Sequence, residues 1–196
     1  MIALLLILIP LIGGIGLFFV KGEKAAKSLS MFIAAANLGL MITALVTKAD
    51  TAMHFDAAWL PQLGSSFALK MDGMSLILCL LTTLAYPVIF ISTSNNQYKS
   101  PHSFYGLMLL AQAGILGVFV AADGLLFYFF WELALIPVYF LCSKWGGERR
   151  IAVTFKFFIY TFVGSLLMLV GLLYLYFQTP DLSFALQALY DVKLTT

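Results

Sequence analysis

The chain has 196 residues, of which 62% are hydrophobic and 10% are charged, and its formal net charge is +2. Ordinary soluble domains carry roughly 25% charged residues, so a water-soluble fold of this size has no means of burying so much apolar surface. A net charge this small gives no reason to expect a nucleic-acid partner. The composition and the long apolar runs predict an all-α polytopic membrane protein.

Six apolar runs along the chain are long enough for membrane-spanning helices, each of which needs about 20 apolar residues. In chain order we place these helices at about 2–20, 28–47, 73–93, 103–122, 124–143 and 152–177. The first run has no basic residue before it, so we interpret it as a retained helix and not as a signal peptide. We expect the six helices to form a single membrane domain over residues 1–196.

The distribution of basic residues predicts the orientation of this domain. The connections after the first, third and fifth helices hold seven cations, and those after the second, fourth and sixth hold three. The first set is Lys21, Lys24, Lys27, Lys99, Lys144, Arg149 and Arg150, and the second set is Lys48, Lys70 and Lys193. The positive-inside rule places the richer set in the cytoplasm. We therefore expect the N-terminus on the outside of the membrane.

The fifth run, which includes the sequence FYFFWELALIPVYFLCSKW, contains a single carboxylate, Glu132. Counted from Gly124 at 1.5 Å per residue, it lies roughly 12 Å from one helix end, too deep for a short side chain to reach water easily. Carboxylates at such depth mark ion or proton paths by default. A purely structural hydrogen bond is the alternative. We predict a role in proton transfer.

Three neighbours on the same helix support a polar site around Glu132. Tyr128 precedes it by four residues and Tyr139 follows it by seven, so both hydroxyls share its helix face. Pro137 has no N–H, which leaves the carbonyl of Leu133 free to hold water. The alternative is that the tyrosines only pack and the proline only kinks the helix.

Lys156 is the candidate charge partner of Glu132, because a buried acid needs a cation or water in order to ionise. It precedes the apolar sequence FFIYTFVGSLLMLVGLLYLYF, which is long enough to span a membrane alone. Lys156 can therefore equally mark the cytoplasmic edge of the sixth helix.

Other polar residues within the apolar runs have weaker signals. We interpret Asn37 and Gln112, which are flanked by Ala and Gly, as helix-packing residues. Thr82 and Thr83, with Pro87, can line a water path, although both residue types are common in membrane helices. The sequence shows no nucleophile with a base, no metal cluster and no flavin or quinone signature. Any chemistry of this chain is therefore movement of protons or ions.

Residues 123–172 carry a family resemblance, through the FWEL-x-LIP core, WGGERR and KFFIYT. MDGMSL at 71–76 and WLPQLG at 59–64 extend it. The chain resembles the antiporter-like proton-pumping subunits of NADH:quinone oxidoreductase (complex I), in the branch of bacterial chain M and mitochondrial NADH dehydrogenase subunit 4.

The resemblance implies a fold of roughly fourteen helices, of which this chain would be the N-terminal part, with Thr196 at a truncation. It also implies that Glu132 takes part in proton transfer and pairs with a lysine on a broken seventh helix, which no position here matches.

By the same resemblance, the chain would be a translocase subunit in the bacterial inner membrane that moves protons in response to quinone reduction elsewhere. NADH, flavin, iron–sulfur clusters and quinone would bind other subunits, and no cofactor or metal would bind this chain. Its partners would be other membrane subunits of complex I, the lipid bilayer and protons. An Mrp-type cation/proton antiporter subunit and a structural membrane scaffold are the alternatives.

Overall fold

The computed structural model describes residues 1–47 and 53–192, and it confirms an all-α polytopic membrane fold. The six long helices are α1 (Ile2–Leu17), α2 (Glu23–Thr47), α3 (Gly73–Thr93), α4 (Pro101–Val120), α5 (Gly124–Trp145) and α6 (Arg150–Gln178), and a short α7 (Leu186–Tyr190) follows. In this part of the chain five helices, α2 to α6, are long and apolar enough to cross a membrane. Two of the predicted topology-setting lysines, Lys48 and Lys193, lie outside the described residues.

Helix α1 is shorter than the predicted segment 2–20. It has 16 residues, about 24 Å of helix, whereas a full span takes about 20 residues. The apolar run continues beyond it in tighter turns, in which the N–H groups of Phe18, Phe19 and Val20 donate to carbonyls three residues earlier. Hydropathy therefore predicted the extent of the apolar segment, but not the residue at which the α-helix ends.

Helix α2 begins five residues before the predicted start at 28, because its first turn is polar. Glu23 and Lys27 are separated by four residues and form an ion pair of 2.7 Å. Lys27 also donates to the carbonyl oxygens of Ser94 and Asn96 at the end of α3. An apolar-run criterion does not detect a helical turn of this kind, which projects from the apolar layer.

Glycine contacts determine how closely the helices pack. A Cβ atom on Gly14 of α1 would lie 2.9 Å from the carbonyl oxygen of Gly106 in α4, and one on Gly114 of α4 would lie 2.7 Å from Cα of Ala134 in α5. Small residues at these crossings let the backbones approach closely. Helix α6 packs mainly against α5, and most of its surface is exposed.

The connection between α2 and α3 is extended where the structure describes it. Strand β1 (His54–Phe55) pairs antiparallel with β4 (Leu69–Lys70), and β2 (Ala58–Leu60) pairs antiparallel with β3 (Ser65–Ser66). A 3-10 turn, Pro61–Leu63, joins β2 to β3, and Gly64 follows it at φ 62°. The left-handed backbone at this position favours glycine.

Asp123 joins this connection to the start of α5. The carboxylate is 1% exposed, and it accepts hydrogen bonds from Ser65 Oγ at 2.9 Å and from the Ser66 N–H at 3.2 Å. It also caps α5 by accepting from the N–H groups of Leu125 and Leu126, both at 3.0 Å. One side chain therefore sets the position of the helix that carries Glu132 relative to the connection between α2 and α3.

Candidate functional site

Glu132 is the ninth residue of the 22-residue helix α5, about 12 Å from its first residue and about 20 Å from its last. The side chain is half-buried and points towards α6. Asp123 caps the N-terminus of this helix, and the buried Pro137 lies near its middle. An acid held at this depth has to find its polar partners on the neighbouring helix.

The partner is Ser165, a buried residue of α6. Its hydroxyl donates to Oε1 of Glu132 at 2.5 Å, and the same oxygen lies 2.8 Å from the carbonyl oxygen of Phe162. A hydroxyl carries one hydrogen and two lone pairs, so Ser165 can donate to the Glu132 carboxyl oxygen or to the Phe162 carbonyl oxygen, and it can also accept a hydrogen bond. Ser165 is therefore the polar partner of Glu132 on the neighbouring helix.

Tyr128, one turn before Glu132, lies beside this pair. Its side chain interacts with both the Glu132 carboxylate and the Ser165 hydroxyl. Tyr128, Glu132 and Ser165 therefore form a polar group between α5 and α6.

Tyr139 and Pro137 lie outside the polar group of Tyr128, Glu132 and Ser165. The Tyr139 ring packs on the Phe158 ring of α6 at a centroid distance of 5.1 Å, and the residue lies about 10 Å along the helix axis from Glu132. Pro137 is buried in α5, where it leaves the Leu133 carbonyl without its usual helical donor. The shared helix face of Tyr139 and Glu132 does not bring their polar atoms together.

The structure does not pair Lys156 with Glu132. Lys156 is exposed, and it precedes Ser165 by nine residues, which is about 13 Å along α6 and half a rotation around it. Across residues 1–47 and 53–192, the ion pair that forms is Glu23–Lys27. Lys156 therefore lies on the other side of α6, which corrects its predicted position as a charge partner.

Sequence reasoning missed Ser165. Three residues of α6 are buried, Thr154, Ser165 and Tyr176, and they recur every eleven residues. Eleven residues are about three helical turns, so the three lie on one stripe, which faces α5. This spacing was available in the sequence, but α6 also carries Thr161 off this stripe, and only packing shows which stripe is covered.

Comparison with known proteins identifies relatives of the chain. Residues 121–195 match the family described as "NADH:quinone oxidoreductase/Mrp antiporter, TM". The chain is 41% identical over 180 residues to F(420)H(2) dehydrogenase subunit M of Methanosarcina mazei, covering 90% of this chain and 36% of the relative. It is 36% identical over 195 residues to NAD(P)H-quinone oxidoreductase chain 4 of Acaryochloris marina, with 94% and 36% covered.

Solved structures show the same fold. A chain of respiratory complex I from Thermus thermophilus superposes with a TM-score of 0.88 at 30% identity, covering all of this chain and 40% of that one. A chain of the Mrp complex from Dietzia sp. superposes with a TM-score of 0.81 at 17% identity, covering 97% and 21%, which is a likeness of fold. The chain thus spans well under half the length of the relatives it matches.

Proposed function

We propose that this chain, which belongs through residues 121–195 to the NADH:quinone oxidoreductase/Mrp antiporter family, is a membrane subunit of a proton-translocating NADH:quinone oxidoreductase. The observation that carries the proposal is the hydrogen bond between Glu132 and Ser165, with Tyr128 beside it, in the middle of α5 and α6. A carboxylic acid at this depth, with hydroxyl partners on both sides, can take up a proton, hold it and release it.

In the proposed mechanism, the charge near Glu132 changes while electrons move elsewhere in the complex. A cation brought beside the acid favours the carboxylate, and its withdrawal favours the protonated form, because charges interact strongly where the dielectric constant is low. Ser165 donates to the carboxylate in the first state and accepts from the acid in the second. We expect the cation to come from outside the described residues.

The chain would contribute translocation, and other subunits would contribute redox chemistry. NADH, flavin, iron–sulfur clusters and quinone would bind those subunits, and this chain would contact neighbouring membrane subunits and lipid. The names of the relatives support this division, since one is a subunit of an F(420)H(2) dehydrogenase and another of an NAD(P)H-quinone oxidoreductase. Similar membrane subunits therefore occur with different electron donors.

The test is the variant Glu132→Gln in the assembled complex, with Glu148→Gln as the matched control. Gln keeps the size of the side chain but does not ionise, so proton translocation and the coupled quinone reduction should fall at least tenfold. Glu148 is exposed in the α5–α6 connection, and its variant should retain activity. Proton uptake into sealed vesicles driven by NADH is the measurement, and unchanged uptake in Glu132→Gln contradicts the proposal.

A subunit of an Mrp-type cation/proton antiporter is the second candidate, favoured by the family match and by the fold likeness. Sodium-dependent proton exchange without an electron donor would support it. A structural scaffold is the third candidate, and full activity after any small substitution at Glu132 would support that one.

A further inference from the structure

The interior of the α1–α4 bundle contains two apolar clusters. The outer cluster includes Leu6, Ile7, Met41, Cys79, Ala113 and Leu116. The inner cluster includes Leu17, Ile33, Ala34, Tyr86, Phe90, Tyr105 and Leu109. On α2, α3 and α4 the two sets are separated by a few residues, and the separating residues include polar side chains. Polar side chains therefore lie between the two apolar clusters.

Three polar side chains occupy this level, one from each of α2, α3 and α4. Asn37, Thr83 and Gln112 are each 0% exposed. In each helix the polar residue lies between a member of the inner cluster and a member of the outer cluster. We call these three residues the polar layer.

Helix register places Thr83 opposite Gln112. The Phe90 and Tyr105 rings meet at a centroid distance of 5.5 Å, and the Tyr105 hydroxyl donates to the Thr93 carbonyl at 3.3 Å, so α3 and α4 are antiparallel. Seven residues are about two helical turns. Thr83 lies seven residues before Phe90, and Gln112 lies seven residues after Tyr105. Each is therefore on the face of its helix that contacts the other helix.

Prolines add backbone acceptors at the same level. Pro10 in α1 has no N–H, so the carbonyl of Leu6 lacks its helical donor, and Asn37 Nδ2 donates to that carbonyl at 3.3 Å. Pro87 in α3 leaves the carbonyl of Thr83 without its helical donor in the same way. Four helices therefore direct polar groups into one layer of the bundle.

Three atoms of this layer have no hydrogen-bond partner among the described residues. They are Asn37 Oδ1, Gln112 Oε1 and Gln112 Nε2, and all three are buried. Buried polar atoms in folded proteins are almost always satisfied, if need be by ordered water. The set contains acceptors and a donor, so the missing ligand must both donate and accept. A metal cation cannot accept a hydrogen bond, and an anion cannot donate one to the amide oxygens.

We propose that the polar layer is an internal water site, in which one or two water molecules bridge Asn37, Thr83 and Gln112 between the two apolar clusters. The site is separate from Glu132. Gly114, two residues after Gln112, contacts Ala134 of α5, so Gln112 points away from α5 and into the α1–α4 bundle. The inference does not depend on the proposed function.

The test combines a structure of the assembled complex, at a resolution that shows ordered water, with hydroxyl-radical footprinting by X-ray radiolysis. Radicals formed from a bound water oxidise the side chains next to it. Met41 and Cys79 lie one turn from Asn37 and Thr83, and both are fully buried, so radicals from bulk water do not reach them. Gln112→Met removes both amide atoms at similar length. The matched control is Ser30→Ala, since the buried Ser30 hydroxyl donates to Lys27 O of its own helix.

We expect water density between the three side chains, and oxidation of Met41 and Cys79 that falls several-fold in Gln112→Met but not in Ser30→Ala. Amides bonded directly to each other, an ion coordinated by the oxygens, or oxidation unaffected by Gln112→Met would overturn the proposal. Should Gln112→Met fail to assemble, the density in the wild-type complex decides by itself. None of these outcomes depends on proton pumping by Glu132.

Discussion

At the scale of single residues, the contact between Glu132 and Ser165 is the feature that gives the mid-membrane acid a proton partner. Ser165 is 4% exposed, and its hydroxyl has a carboxyl oxygen on one side and a backbone carbonyl oxygen on the other. A group placed in this way stabilises whichever protonation state Glu132 adopts, because a hydroxyl rotates to donate in either direction. Ser165 is thus a positioning residue for the proposed proton transfer.

Replacing Ser165 by Ala should slow proton translocation by about tenfold, since hydrogen bonds to charged groups contribute roughly 1.5–3 kcal/mol. Ser143→Ala is the control, because Ser143 Oγ donates only to Phe140 O of its own helix. The measurement is the rate of NADH-driven proton uptake as a function of pH in sealed vesicles. Ser165→Thr, which keeps the hydroxyl, should restore most of the rate. Equal rates in Ser165→Ala and Ser143→Ala would contradict a positioning role.

At the scale of elements, helix α5 is held at its N-terminal end by hydrogen bonds and along its length by packing. Asp123 combines an N-cap with two hydrogen bonds from β3, and Gly124 N–H donates to Phe184 O at 2.7 Å. Asp72 is the simpler cap of α3, exposed to solvent, and it accepts from the Ser75 N–H at 2.8 Å. That backbone hydrogen bond holds the pKa of Asp72 below its usual range.

We expect removal of the two capping carboxylates to lower the free energy of unfolding by different amounts. Asp72→Ala should destabilise the fold by about 1 kcal/mol, as is usual for an N-cap. Asp123→Ala also leaves the buried Ser65 hydroxyl and the partly buried Ser66 N–H without their acceptor, and it should cost about 3 kcal/mol. Because folding depresses the pKa of Asp72, its contribution is present above the usual carboxyl pKa and is lost as the pH falls through the depressed value. Thermal unfolding of the purified protein from neutral to acid pH measures both effects. An equal loss of Tm in the two variants at neutral pH would contradict this account.

At the scale of the whole molecule, basic residues collect at one end of the bundle. Lys27 donates to the carbonyl oxygens of Ser94 and Asn96 just after α3, and the Trp145 indole N–H donates to Lys99 O at 3.0 Å. Hydrogen bonds to the α3–α4 connection therefore stabilise this end of the bundle. By the positive-inside rule we expect it to be the cytoplasmic end. In that orientation the strands β1 to β4 and the Asp123 cap would lie on the outside.

Cysteine labelling tests this orientation. In a variant in which Cys79 and Cys142 are replaced by Ser, Gln97→Cys in the α3–α4 connection should react with a membrane-impermeant maleimide only in inverted vesicles. Ala57→Cys in the α2–α3 connection should react only in right-side-out vesicles. The two sites control for each other, and the reversed pattern would contradict the proposed topology.

The amino-acid sequence by itself determined that this protein lies in a membrane as an all-α bundle and that Glu132 is deep within a helix, because hydropathy and length depend on neighbouring residues alone. It also contained the motifs of the family, which are local. The helix ends were less predictable, because the polar turns of α2 project beyond the apolar runs.

Only the tertiary structure decided which polar groups meet. The rotation of α6 about its axis brings Ser165, and not Lys156, to Glu132, and that rotation results from the packing of buried side chains along the whole length of α5 and α6. Asn37, Thr83 and Gln112 lie far apart in the sequence, which suggested helix packing for Asn37 and Gln112 and a water path for Thr83. They form one layer because antiparallel helices place residues of distant segments at the same depth, a property of the assembled bundle that no single segment contains.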